Sequence, residues 1–154
     1  MSKIAILDTS FITNWLNPKK NKEEVEKFRN FEDSVKKKKI IIAFPTPVIS
    51  ELLMGPVKSV SDDILGKNIK KLPFDYKASV ECANIFGKQK GEAKVKIKFD
   101  CQIIAIAKAN NITTIYSDDE QLKKRAENQN INVITSKELP LSCLLYTSPS
   151  PRDM

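Results

Sequence analysis

Five carboxylates stand where they could act together. Asp8 closes the short apolar run Lys3–Leu7, and Asp118 and Asp119 follow the run Thr113–Tyr116. Asp100 opens a stretch rich in isoleucine and alanine, while Glu51 lies within Val48–Met54. Carboxylates gathered in one place repel each other unless a cation neutralises them, and Mg²⁺ or Mn²⁺ prefers such oxygen ligands. An ion held this way lowers the pKa of a bound water and offsets the charge on a phosphate under in-line attack. That chemistry suits a chain with no histidine. The absence of histidine excludes serine–histidine–aspartate triads, cysteine–histidine pairs, histidine-based ribonuclease chemistry and ordinary zinc sites. Cys82, Cys101 and Cys143 have no metal-ligand spacing and read as reduced thiols.

Taken singly, each acid has a plainer reading. Aspartate is a common helix N-cap, and Asp8, Asp100 and Asp118 each precede a stretch with helical character. Glu51 alone reads as an exposed helix position. Their joint placement is what points to a site. In an open parallel sheet, ligands bind at the carboxyl ends of the strands, in the loops that lead into helices.

The elements that must deliver these acids follow from the pattern. Ile40–Phe44 (IIIAF) and Ile131–Thr135 (INVIT) join Lys3–Leu7 and Thr113–Tyr116 as strands. Helices are expected over Phe11–Leu16, Lys22–Lys39, Val48–Met54 (with Pro47 in its first turn), Tyr76–Gln89, Asp100–Asn110 and Glu120–Asn130, and weakly near Asp62–Lys71. Gly91–Phe99 reads as a basic connector. Alternating strands and helices imply one α/β domain over residues 1–141, a mostly parallel sheet of about four to five strands flanked by helices. Residues 142–154 lack periodicity and are expected to be a disordered or non-native tail.

The chain carries 26 basic and 19 acidic residues in 154, a net charge of +7 that suits a polyanionic partner. Lys94, Lys96 and Lys98 lead into Asp100 and are read as contacts to a nucleic-acid backbone, with the run Lys36–Lys39 as either a helix-end cap or the next candidate. Phe11 and Trp15 serve either as core residues or as a base-stacking platform. No apolar run reaches the roughly 18 residues of a membrane span, so the protein is expected in the cytoplasm, with no membrane partner.

These residues carry a family resemblance. Asp8-Thr9-Ser10 after an N-terminal strand resembles the opening signature of PIN-domain nucleases, and Val48-Ile49-Ser50-Glu51-Leu52 is similar to their second motif. Phe99–Ala107, headed by Asp100, resembles the third motif, and Ser117-Asp118-Asp119 the fourth. The matching acids are then Asp8, Glu51, Asp100 and Asp119, as catalytic residues and metal ligands, with Asp118 beside them as a further ligand and Thr9 and Ser117 in support. The fourth motif departs from the family at Ser117 and Leu122, where threonine and phenylalanine are more usual. The resemblance implies a PIN-like three-layer fold and a Mg²⁺- or Mn²⁺-dependent endoribonuclease. It also implies a VapC-like toxin of a toxin–antitoxin pair, with an antitoxin partner and a homodimeric state. Two other classes compete. One is a catalytically inactive RNA- or partner-binding module on the same fold. The other is an Asp-centred phosphoryl-transfer domain, disfavoured because Ile6, Leu7 and Ser10 occupy the positions where its second acid should stand.

Overall fold

The computed structural model describes residues 3–55, 69–87 and 94–141, without the side chains of 94–97. The elements in chain order are β1 (Ile4–Leu7), α1 (Thr9–Trp15), α2 (Lys22–Lys37), β2 (Ile41–Pro45), α3 (Thr46–Met54) and β3 (Lys70–Leu72). They continue as α4 (Tyr76–Phe86), α5 (Lys94–Ala109), β4 (Thr114–Tyr116), α6 (Glu120–Glu127), β5 (Asn132–Ile134) and a 3₁₀ turn at Ser136–Glu138. The five strands form one sheet in the order β3-β2-β1-β4-β5, and every pairing is parallel. The mixed α/β architecture expected from the sequence is therefore present.

The order of the strands decides where a site can form. From β1 the chain builds outward to β2 and β3, then returns to place β4 on the other side of β1. The reversal falls between β1 and β4, so their carboxyl ends form the switch point where open α/β sheets bind ligands. Ala5, Ile6 and Leu7 of β1 are buried, as a central strand covered on both faces requires. Helix α5 is buried continuously from Ile103 to Ala107, which explains why its sequence is apolar on most sides.

Two expectations fail here, and both failures have local causes. Helix α5 begins at Lys94, so Asp100 lies inside the helix and does not head it, and residues 94–99 are helical where the sequence suggests a connector. The alternation in Val95-Lys96-Ile97-Lys98-Phe99 masks a helical period, but neither proline nor glycine interrupts the chain between Gly91 and Asn110. Lys70–Leu72 is a strand where the sequence suggests the end of a helix; residues 62–68 lie outside the described residues. This strand is short and lysine-bearing, with the polarity typical of a sheet edge and too little apolar pattern to be read.

Phe11 is fully buried and packs edge-on against Phe28 and Phe31, with Tyr116 tilted beside it. Trp15 packs on Phe31, and its indole N–H donates to Glu32 Oε2 at 2.8 Å. Both aromatics therefore serve as packing residues, and neither forms a base-stacking platform. They lock α1 onto α2 behind the β1–α1 junction.

Candidate active site

Asp8 sits at the carboxyl end of β1, where its amide donates to the Tyr116 carbonyl of β4 at 2.9 Å. It occupies the N-cap position of α1 but makes no side-chain capping bond. Its carboxylate turns toward β4 instead. Oδ2 accepts from Ser117 Oγ at 2.8 Å and from Ser10 Oγ at 2.9 Å. Each serine is itself held by the turn after β4: the Asp118 amide donates to Ser10 Oγ at 2.9 Å, and the Asp119 amide donates to Ser117 Oγ at 3.1 Å. Two backbone N–H groups of the β4–α6 turn are thus relayed through two hydroxyls onto one oxygen of Asp8. In the sequence Ser10 reads only as part of a helix start. Its role becomes visible once β1 and β4 are known to be neighbours.

Asp8 is 4% exposed. Burial pushes its pKa above the usual carboxylate range, hydrogen bonds from Ser117, Ser10 and the Thr9 backbone pull it back, and the nearby charge of Asp119 pushes it further up. The ends of the adjacent strands β1 and β4 thus bring the charges of Asp8 and Asp119 into each other's range. Carboxylate and hydroxyl oxygens are the ligand type that a hard divalent ion prefers.

Asp119 is also a working cap, its Oδ1 accepting from the amides of Gln121 (2.9 Å) and Leu122 (3.2 Å) at the start of α6. Glu51, exposed on α3, is drawn to the same junction because Thr9 Oγ1 donates to its Oε1 at 2.6 Å. Thr9 thus bonds to Glu51, and Ser117 to Asp8.

Asp118, expected beside the metal, is held by the surrounding frame. Its oxygens accept from Asn14 Nδ2 (2.6 Å), the Ser136 amide (2.6 Å) and Ser136 Oγ (2.8 Å), tying α1 to the 3₁₀ turn after β5. Asp100 is 2% exposed and receives Arg125 Nη1 on its Oδ2 at 2.8 Å. Arg125, 8% exposed in the last turn of α6, does not stand out in the sequence. It reads there as one more cation complementing a helix C-terminus, among many lysines. Among the described residues no three acids, cysteines or histidines stand in an array that could hold a metal.

The basic residues separate as well. Lys98 is exposed and lies two positions before the buried Asp100, so the helical turn places it on nearly the opposite side of α5. Lys94 and Lys96 lie in the backbone of α5, but their side chains are outside the described residues. Lys36 and Lys37 end α2, and Lys39 takes a left-handed φ of 53° before β2. That run is at the amino edge of the sheet, away from the acids.

The PIN domain family matches residues 5–128, from β1 through α6. The chain belongs to the PIN domain family. No curated protein matches it in sequence. Among solved structures, the fold is similar to VapBC2 from Rickettsia felis, determined with a promoter DNA fragment, at 18% identity and a TM-score of 0.61, over 86% of this chain and 98% of that one. It is also similar to VapC20 of Mycobacterium tuberculosis, a sarcin–ricin loop cleaving toxin, at 12% identity and a TM-score of 0.55, over 78% and 93% of the two chains. The PIN domain endonuclease Utp24 aligns at 18% identity and a TM-score of 0.54, over 86% and 84%. At these identities the likeness is one of fold.

Proposed function

We propose that the chain is a divalent-metal-dependent endoribonuclease, acting in the cytoplasm as the toxin of a type II toxin–antitoxin pair. The observation that carries this reading is the hold on Asp8 at the switch point, through Ser10 and Ser117, by the turn that bears Asp119. Asp8, Glu51, Asp100 and Asp119 would hold Mg²⁺ or Mn²⁺, and Thr9, Ser10 and Ser117 orient the carboxylates. The bound ion supplies activation of water and compensation of phosphate charge. Lys94, Lys96 and Lys98 would lie along the RNA backbone. The partners are RNA, an antitoxin protein and a second copy of the chain, a reading supported by the similarity to VapBC toxins. Among the described residues, no helix is long and apolar enough to cross a membrane. The functional domain is assigned to residues 1–141, with 142–154 as a tail outside the described residues.

A second reading, an inactive PIN module that binds RNA or protein, is favoured by the lack of a ready-made array of three acids among the described residues. Cleavage of a mixed RNA pool with Mn²⁺ or Mg²⁺ separates the two. The nuclease reading expects cleavage that stops with chelation, returns with added metal and is absent in Asp8→Asn. Cleavage that survives both treatments overturns the metal mechanism, and binding without cleavage establishes the second reading.

A further inference from the structure

We infer that the amino edge of the sheet, opposite the edge that carries Asp8 and Asp119, is a second docking surface for the phosphate backbone of RNA, built on Lys3 and the run Lys36–Lys39. The inference rests on the reading of the chain as acting on RNA. Helices α2, α5 and α6 each return to the sheet through a turn that holds one residue in the left-handed region: Lys39 at a φ of 53°, Asn111 at 56° and Asn130 at 62°. These are the non-glycine positions of positive φ among the described residues. Asparagine tolerates that conformation because its short amide bonds locally, an advantage that lysine lacks. At two turns the residue suits the backbone; at the third a lysine takes its place and closes a run of four. A residue kept against the preference of its backbone points to a task for its side chain.

Cations in the last turn of α2 complement its dipole, which accounts for Lys36 and Lys37. It gives no reason for a lysine at residue 39, past the C-cap Lys38. All four lysines and Lys3 are exposed, and among the described residues no acid pairs with them, whereas Lys27 and Lys123 pair with Glu23 and Glu138. The Lys3 carbonyl accepts from the Ile41 amide at 2.7 Å, which sets Lys3 beside the turn that carries Lys39. The order and register of the strands continue this edge through the turns of Asn111 and Asn130, over about 14 Å from β2 to β5. Lysines at one end and exposed amides at the other are both groups that bind phosphate. The acids of the adjoining helices, Asp33 and Glu127, leave the run itself strongly positive. Ile112 and Ile131, between these positions, are buried. An edge of polar groups alone fits a nucleic-acid backbone better than a protein interface, whose centre is apolar. Asp8 lies at the far end of β1, about 13 Å away along the strand. Long RNA would be held at both edges, and short RNA at one.

The test uses the full chain in chelator, with binding of fluorescent poly(U) RNA read by anisotropy across a salt series. The combined variant Lys36→Gln, Lys37→Gln, Lys38→Gln and Lys39→Asn should lose about tenfold in affinity and flatten the salt slope by about 0.7 log units for each contact removed. Lys39→Asn alone should melt higher than wild type, because asparagine suits the turn, and yet bind RNA more weakly. A control that changes Lys19, Lys22, Lys77 and Lys124 to Gln removes the same charge from exposed positions elsewhere and should lose far less. Equal losses in the two combined variants, or an unchanged slope in the first, overturn the proposal. Poly-L-glutamate that binds this edge more tightly than the RNA overturns it as well, in favour of an acidic protein partner. With Mn²⁺ added, the first variant should cleave short oligouridylate as wild type does and show a raised KM with unchanged kcat on long RNA; a fall in kcat instead overturns docking remote from the acids. Failure is distinguishable from failure of the nuclease reading. Wild type that binds RNA without cleaving it overturns that reading, while the binding measurements still decide the docking surface.

Discussion

Asp8 and Asp100 are both hidden from water, yet the fold satisfies them by different means. Asp8 receives two serine hydroxyls, each polarised by a backbone amide, and burial, with the charge of Asp119 adding to it, still keeps its pKa raised. Asp100 receives an arginine. The first arrangement stores unfavourable electrostatics that a cation can discharge, and the second has discharged them already. Acids that look interchangeable as motif positions thus have opposite consequences for the stability of the metal-free protein.

The largest consequence appears on converting each to its amide. From sequence alone, Asp8→Asn and Asp100→Asn are expected to behave alike, losing activity while leaving the metal-free fold as stable or more stable. The structure separates them. Asp8→Asn keeps an oxygen acceptor for the serines and removes a buried charge, so its stability should match or exceed wild type. Asp100→Asn removes the counter-charge of the buried Arg125 guanidinium and should cost about 3–5 kcal/mol. Urea unfolding in chelator measures both, and equal stabilities would erase the distinction. The double variant Asp100→Asn with Arg125→Met should recover much of the deficit, since burying neither charge is less costly than burying one.

The relay onto Asp8 gives the next effect. Ser117 is fully buried and spans from the Asp119 amide to the Asp8 carboxylate, so Ser117→Ala should cost about 1–3 kcal/mol. Ser10→Ala, at a half-buried position, should cost less. The pH dependence has a defined sign. Asp8 has a folded pKa raised above its ordinary value of 3.8, so its contribution favours the fold below that value and is lost as pH rises through the folded pKa. Removing a hydroxyl raises the folded pKa further. The deficit of Ser117→Ala relative to wild type should therefore be larger at pH 7 than near pH 4, and a deficit independent of pH would show that the hydroxyl does not support the ionised carboxylate.

How much of this is written in the sequence depends on the range of the interaction. Strand β1 and the acid at its end are legible because a short apolar run and a helix start are local signals. The identity of α5 as a central helix is legible too, but its start is not, because alternating lysines hide a helical turn. The motif spacing marks Asp119 as the matching acid, but what holds each of Asp118 and Asp119 is not written locally. Only the approach of α1 and Ser136 ties the first to the frame, while the second caps α6. The roles of Ser10 and Arg125 are hidden for the same reason, since each acts on a residue brought to it by the order of strands and helices.

The lysines before Asp100 test whether the acid-bearing helix also presents the substrate. Substituting Lys94, Lys96 and Lys98 together by alanine should weaken RNA binding and flatten its salt dependence by about 0.7 log units for each phosphate no longer neutralised on a single strand. Lys98 lies away from the side of α5 that carries Asp100, so Lys98→Ala alone should flatten the slope less than the triple change. A slope unchanged in the triple variant would put the RNA path elsewhere on the surface.

The smallest effect belongs to a second ion pair, which serves as the control for the first. Lys123 Nζ lies 2.9 Å from Glu138 Oε1, nearly the distance between Arg125 and Asp100, yet the Glu138 side chain is 50% exposed. Glu138 also accepts from the Thr135 amide and hydroxyl, closing the 3₁₀ turn that Asp118 anchors from the other side. The Lys123 hydrogen bond, followed by the Thr135 amide, holds its carboxyl down at about 2, well below the ordinary value of 4.5. A depressed pKa contributes stability that is present above 4.5 and lost as pH falls toward 2. Water screens this pair, so Glu138→Gln should cost no more than about 1 kcal/mol at neutral pH, and less in high salt. The Asp100–Arg125 pair, sealed from solvent, should lose its partner at a cost that salt barely changes. Were Glu138→Gln as damaging as Asp100→Asn, or equally indifferent to salt, burial would not be what separates these two pairs, and the contrast between Asp8 and Asp100 would need another cause.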